Sequence, residues 1–288
     1  MRPVKLAPLL ATGVFLIALL ESAVGLVAPH RIASDADWRA AAAYVRERLA
    51  DHDLVVFAPR WVDQVGRSHL GDRMPVSMVA RADEAGFARI WELSIRGARA
   101  EETAGLPVAE ERAFGRVTVR RVDRRAASIA YDFTARFADA RVTTRPRAGG
   151  DEQPCAADGA ARRCGGARIE PRVLEIDYRP RRGLLVPAAA GVTHTVAYDD
   201  VPMGTLVGYV GLHDYYARKM ADGVALFRVR VDETQAVTVP LRNPAREGEG
   251  WQRFELALGP GTHRVRFEIE SEQPAWRLPG FHAEVRAP

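Results

Sequence analysis

Arg264-Val265-Arg266-Phe267-Glu268-Ile269-Glu270 is the stretch on which the fold turns. Apolar and charged residues alternate strictly across it, so Val265, Phe267 and Ile269 share one face and Arg264, Arg266, Glu268 and Glu270 the other. A period of two belongs to a strand with one face in a core and one in water. The same period returns in Phe227, Val229 and Val231 against Arg228 and Arg230, in Ile129, Tyr131 and Phe133 against Ala130 and Asp132, and in Val117 and Val119 against Thr118 and Arg120. Leu256-Ala257-Leu258, then Gly259-Pro260-Gly261 before His263, reads as a strand, a tight turn and a return strand. Many short strands without helices between them predict a jelly-roll-like antiparallel β-sandwich over 115–288.

Towards the N-terminus the period changes. Ser34 is followed three residues later by Asp37, a helix start, and Trp38, Ala41, Ala42, Val45 and Leu49 then recur at helical spacing. Leu54-Val55-Val56-Phe57 suits a buried strand stopped by Pro59, and Ile90 to Ile95 reads as a second strand before Gly97. Residues 34–114 are therefore expected to form a small αβ unit, and the whole chain is of α+β class.

Residues 1–33 carry Arg2 and Lys5, then an uncharged run from Leu6 to Leu20, then Glu21 and a further apolar stretch to Val27. A basic start before an apolar run is the pattern of an export signal, and read through Glu21 the run reaches the roughly 20 residues of a transmembrane helix. Two expectations follow: a membrane anchor with the body outside the cytoplasm, in the periplasm or cell envelope, or a signal removed after Ala23-Val24-Gly25 and a secreted body. Cys155 and Cys164, the only cysteines, lie in a Gly/Ala-rich stretch over 146–166 and are expected to form a disulfide across a surface loop in an oxidising compartment. No His stands near them, which argues against zinc.

Hydrophobic residues make up 47% of the 288, enough for a packed core. The net charge of +4 comes from Arg scattered among Asp and Glu, a solvated surface and not a nucleic-acid stripe. No Gly-x-Ser-x-Gly elbow, His-Glu-x-x-His pair, P-loop or Gly-x-Gly-x-x-Gly turn occurs.

The densest set of ligand-binding side chains is Tyr209, His213, Asp214, Tyr215, Tyr216 and Arg218. Flat aromatic faces and planar polar groups are what a sugar ring and its paired hydroxyls need; inward-packing tyrosines and a surface Asp214–Arg218 pair are the plain alternative. A second candidate set, Trp61, Asp63, His69 and Asp72, follows the first strand, where α/β units often bind ligands. Asp199 and Asp200 precede Val201-Pro202 and suit either a turn or a structural Ca²⁺; no other cofactor or metal is expected. Trp251, Trp276 and His282 would extend an aromatic platform or simply pack in the core.

Two stretches carry resemblances. Trp38 to Pro59, with Asp53-Leu-Val-Val-Phe-Ala-Pro, and Arg89-Ile-Trp-Glu resemble the soluble extracytoplasmic tail of polyprenyl-phosphate-sugar glycosyltransferases over about 34–97. Trp251-Gln-Arg-Phe254 and Gly261-Thr-His-Arg-Val-Arg-Phe267 are similar to galactose-binding-like carbohydrate-binding modules over about 168–288. The multi-pass membrane body of those transferases, which carries their catalysis, is absent from this sequence. The resemblances imply a glycan or glycolipid partner in the cell envelope, with a membrane glycosyltransferase as a neighbour. The leading expectation is a membrane-tethered, non-catalytic accessory of envelope glycan assembly or recognition. The alternatives are an extracytoplasmic enzyme on sugars or lipid-linked sugars, using acids such as Asp72 or Asp214, and a structural or partner-binding module.

Overall fold

Ser34 accepts a hydrogen bond from the Asp37 N–H while the Asp37 carboxylate accepts from the Ser34 N–H, and this reciprocal cap starts a helix over Asp35–Arg48. The computed structural model describes residues 6–27, 32–176, 179–213, 223–242, 250–272 and 277–288. By internal contacts the chain divides into two units, residues 1–74 with 87–125, and residues 75–86 with 126–288.

In the first unit, helices α1 (Leu6–Val27) and α2 (Asp35–Arg48) are followed by strand β1 (Asp53–Ala58), helix α3 (Asp63–Leu70) and strands β2 (Arg89–Ile95), β3 (Glu110–Phe114) and β4 (Val117–Asp123). The sheet order is β1-β2-β4-β3, with β1 parallel to β2 and the other pairs antiparallel. Helix α2 buries Trp38, Ala41, Ala42, Tyr44 and Val45, close to the stripe expected from spacing. On α1 the apolar side chains of Val14, Phe15, Leu16, Ile17, Leu19 and Leu20 are exposed. Among the described residues no helix is long and apolar enough to cross a membrane, so the spanning helix expected from sequence is not shown.

Buried on both faces, β2 carries a carboxylate at its centre. Glu92 is fully buried and accepts from the Ala100 N–H (2.9 Å), the Thr103 hydroxyl, Arg99 Nε (3.3 Å) and Arg120 Nη1 (2.8 Å). Burial pushes its pKa up, but those donors and the arginine charges more than offset that and hold it below the ordinary value.

The boundary drawn at 115 differs from this division. Val117 and Val119 stand opposite Ile95 and Leu93 of β2, so that alternating strand closes the small sheet and not the sandwich. A period of two names a half-buried strand without naming the sheet it joins. Residues 75–86, expected in the αβ unit, group with the second unit instead.

The second unit opens with the short helix α4 (Val76–Val79) and contains strands β5 (Ile129–Asp132), β6 (Arg141–Pro146), β7 (Gln153–Pro154), β8 (Ala156–Asp158), β9 (Ala161–Cys164), β10 (Ala167–Ile176), β11 (Arg179–Leu185), β12 (Val192–Leu212), β13 (Val224–Val231), β14 (Thr234–Arg242), β15 (Gln252–Ser271) and β16 (Pro279–Arg286). Every pair of these strands is antiparallel. The Cys155–Cys164 disulfide is formed and braces the β8–β9 hairpin, so the 146–166 stretch has strands of its own.

Strands β12 and β15 pair along nearly their whole length and bend together. The first half of β12 joins β6 and the second half joins β16. Phe267, opposite Val196, lies 4.6 Å ring to ring from Phe281, opposite Val210, so the two halves face each other across a core. Phe133, Tyr198, Phe227, Phe267 and Phe281 fill that core with tilted and edge-on contacts, and each ring contributes about 1.5–3 kcal/mol. The structure is thus a β-sandwich made by creasing one long strand pair.

Gly259-Pro260-Gly261 lies at the crease and is not the tight turn expected. Leu258 and Thr262 each pair with β12, opposite Gly204 and Pro202, so the strand continues through instead of returning on itself. Three residues face one across the register shift, and the extra length bends the pair. Gly261 (φ 106°) and Gly204 (φ 146°) take backbone angles that side chains resist, and a Cβ on Gly204 would overlap the Arg286 carbonyl oxygen.

Candidate functional site

Opposite the crease, register brings strand ends together. Val192 stands across from Pro146, Leu212 from Pro279, Val224 from Arg242, Ala225 from Ser271 and Gln252 from Val210. These strand ends form one rim of the sandwich. The segment holding Tyr209 and His213 enters this rim, and its far end returns at Gly223 and Val224. Asp214, Tyr215, Tyr216, Arg218 and Trp276 lie outside the described residues.

A cleft of about 350 Å³ opens on the rim, lined by Arg147, Gly223, Val224, Leu226, Glu270, Ser271 and Glu272. That volume is at the small end of ligand pockets. Glu270 accepts from Arg228 Nη2 (2.7 Å) and the Thr193 hydroxyl (3.1 Å), and Arg147 lies 3.8 Å from it and 3.4 Å from Glu272. Arg228, more than any other neighbour, holds the Glu270 carboxyl below its ordinary range. Val224 and Leu226 give an apolar wall beside planar charged groups, a combination that can accept a ring face and bind its hydroxyls. None of these lining residues was singled out from the sequence, because Arg147 and Glu270 are 123 positions apart and only the strand register joins them.

Tyr209 does not offer its ring to the rim. It is buried, its hydroxyl donates to Asp83 Oδ2 (2.6 Å), and Arg181 covers the ring with its guanidinium carbon 3.8 Å from the centroid. Burial first, and then Asp83, push its hydroxyl up to about 12. Asp83 comes from the 75–86 segment, which is tied down by Arg182 N–H donating to the Ala80 carbonyl (2.8 Å) and Ala127 N–H donating to that of Ala85 (2.7 Å). Arg286 Nη2 also reaches Asp83 (2.5 Å), and its Nε donates to Glu284 (2.8 Å). His282 is buried in this layer, with one ring nitrogen 3.0 Å from the Arg182 carbonyl and the other 3.4 Å from Glu284. Trp251 Nε1 donates to the Arg179 carbonyl (2.8 Å), and its ring lies 5.5 Å from the Arg181 guanidinium. The sequence analysis missed this cluster; Arg179-Pro180-Arg181-Arg182, a run of cations in one hairpin arm, is the feature that could have pointed to it. His213 sits at the end of β12, where its N–H donates to the Leu278 carbonyl (3.0 Å).

The second candidate set does not converge. Trp61 is 63% exposed, with the Arg96 guanidinium 5.6 Å from its ring. Asp63 pairs with Arg67 one helical turn on, His69 stacks on Trp38 beside Asp35, and Asp72 faces Arg46 at 3.8 Å. Asp199 accepts from Arg264 Nε (2.7 Å), and Asp200 is exposed in a left-handed turn at the crease (φ 57°). Among the described residues no group of three or more His, Cys, Asp or Glu is placed to hold a metal ion.

No family model matches the chain, and no curated protein matches it, so the resemblance of 34–97 to glycosyltransferase tails is not shown. Among solved structures the chain is similar to the CBM51-2 and INT domains of Clostridium perfringens ZmpB in complex with GlcNAc, at 15% identity and TM-score 0.33, covering 43% of this chain and 28% of that one. It is also similar to the CBM51 of Clostridium perfringens GH95 in complex with methyl-galactose, at 10% identity and TM-score 0.33, covering 50% of this chain and all of that one. A third likeness is to the tandem CBM51 modules of the family 98 glycoside hydrolase Sp3GH98 from Streptococcus pneumoniae, at 12% identity and TM-score 0.36, covering 73% and 74%. At these TM-scores none of the likenesses bears on what the chain binds.

Proposed function

We propose that the second unit is a non-catalytic carbohydrate-binding β-sandwich that takes a glycan at its loop rim. One observation carries the reading. The Arg147–Glu270 cleft sets planar charged groups beside the apolar wall of Val224 and Leu226, the chemistry a sugar requires. The segment that the sequence marks for ligand binding joins the described ends His213 and Gly223, and Gly223 lines that cleft.

Delivery outside the cytoplasm by the apolar N-terminal helix is the setting we propose, supported by Arg2, Lys5 and the run that follows them and by the disulfide. A role beside a membrane glycosyltransferase in envelope glycan assembly is proposed on the sequence resemblance alone.

A glycan array followed by calorimetry on the full chain tests the binding. Arg147→Ala, and Tyr215→Ala with Tyr216→Ala, should abolish binding while the unfolding midpoint stays in place. Retained affinity in both variants would remove the rim as the site. Fractionation that recovers the protein in the cytosol would remove the setting.

A further inference from the structure

Among the described residues Arg181 has two aromatic neighbours and no carboxylate of its own. Its guanidinium sits 3.8 Å from the Tyr209 ring centre and 5.5 Å from that of Trp251. Nε and Nη1 are shielded from water and make no hydrogen bond among the described residues, although the residue as a whole is only half-buried. A guanidinium has five donors and keeps its charge at ordinary pH, so donors without acceptors are costly.

Asp83 shares this face but is already engaged, by the Tyr209 hydroxyl at 2.6 Å, Arg286 at 2.5 Å and the Ala85 N–H at 2.8 Å. Burial first, and also the like charges of Arg81 and Arg179, bring the Arg181 pKa down to about 10 against the raising pull of Tyr209 and Asp83. Among the described residues the place is short of negative charge.

We infer that Arg181 is an oxyanion subsite, taking a carboxylate or phosphate group carried on a sugar ring, with the ring beside Trp251. An oxyanion at Nη2, the guanidinium nitrogen that is not shielded, supplies the counter-charge and an acceptor, and a C–H-rich ring suits an indole face. A neutral sugar brings no counter-charge, so the subsite selects acidic glycans. The inference rests on the glycan reading for the ring, though not for the oxyanion.

The test is calorimetry on the full chain at low ionic strength with glucuronate, glucose phosphate, inorganic phosphate and glucose. Glucuronate or glucose phosphate should bind, glucose should not compete, and added salt should weaken the binding. Arg181→Gln should cost about tenfold or more in affinity, the scale of a hydrogen bond to a charged group. Arg181→Lys should recover part of that loss, because it restores the charge without the planar guanidinium. The tighter of the two charged sugars identifies carboxylate or phosphate as the preferred group.

The inference is overturned if neither charged sugar binds, or if Arg181→Gln folds and binds them as the parent does. Should Arg181→Gln fail to fold, Trp251→Leu replaces it, and unchanged affinity there overturns the site equally. Inorganic phosphate binding as tightly as glucose phosphate would overturn the ring contact and keep the oxyanion. Arg181-dependent glucuronate binding with no neutral glycan bound on the array would sustain this subsite while removing the rim site.

Discussion

Replacing Glu92 with Gln isolates the buried carboxylate of the small sheet. Oε2 accepts from Arg99 Nε, the Ala100 N–H and the Thr103 hydroxyl, and Oε1 accepts from Arg120 Nη1. A glutamine can keep its carbonyl at the first position, but its amide then points two hydrogens at Arg120, donor against donor. The charge-assisted bond to Arg120 is lost, about 1.5–3 kcal/mol, and the bond from Arg99 loses its ionic part. Arg120 is not stranded completely, since Glu111 accepts its Nε at 2.6 Å and the Ser94 hydroxyl lies 2.8 Å from Nη1. The expected cost is therefore about 3 kcal/mol, the lower edge of the range for breaking a buried pair.

Urea unfolding followed by tryptophan fluorescence reads this cost, since Trp38, Trp61 and Trp91 belong to the first unit. Because burial is outweighed and the folded pKa is depressed, the ionised carboxylate stabilises above the unfolded value near ~4.3, and that stabilisation is lost as pH falls through the folded pKa. The pH 7 difference between parent and Glu92→Gln should accordingly shrink in acid. A cost under about 0.5 kcal/mol at pH 7, the size of an ordinary surface change, would refute the reasoning.

Three further outcomes follow from single residues. His194 is 1% exposed, with neither ring nitrogen bonded among the described residues, and burial lowers its pKa; the unfolded chain binds the proton more readily, so stability should fall as pH drops below about 6.5, and His194→Leu should flatten that fall in urea titrations at pH 5 and 7.5. Reducing the Cys155–Cys164 bond, which spans a sequence separation of 9, should cost roughly 2–3 kcal/mol by loop entropy, seen as a lower melting temperature in reductant. Gly204→Ala should cost more than about 1 kcal/mol, because φ is 146° and the new methyl meets the Arg286 carbonyl; an unchanged melting temperature would contradict the crease geometry.

Much of the local structure was legible. The Ser34–Asp37 cap, β1 up to Pro59 and the alternating faces of Phe227, Val229, Phe267 and Ile269 all stand where the residues implied, because capping, breaking and pleating act within a few positions. The sites were less legible. Tyr209 looked like a ligand platform beside its polar neighbours, yet Arg181, 28 positions upstream, lies over its ring. Glu92 read as one more residue of a strand, although four donors from two segments meet on it.

Residue order by itself decided that this chain carries an apolar N-terminal helix, a small αβ unit and many two-faced strands, since each follows from propensity and period over a short window. Tertiary structure alone decided that Val117–Asp123 closes the small sheet, that Gly259–Gly261 is a crease and not a turn, and that Asp83 and Arg181 enclose Tyr209. Those outcomes depend on which hydrogen-bond partners and counter-charges meet across long stretches of chain, and a pattern of period two is the same whichever partner is chosen.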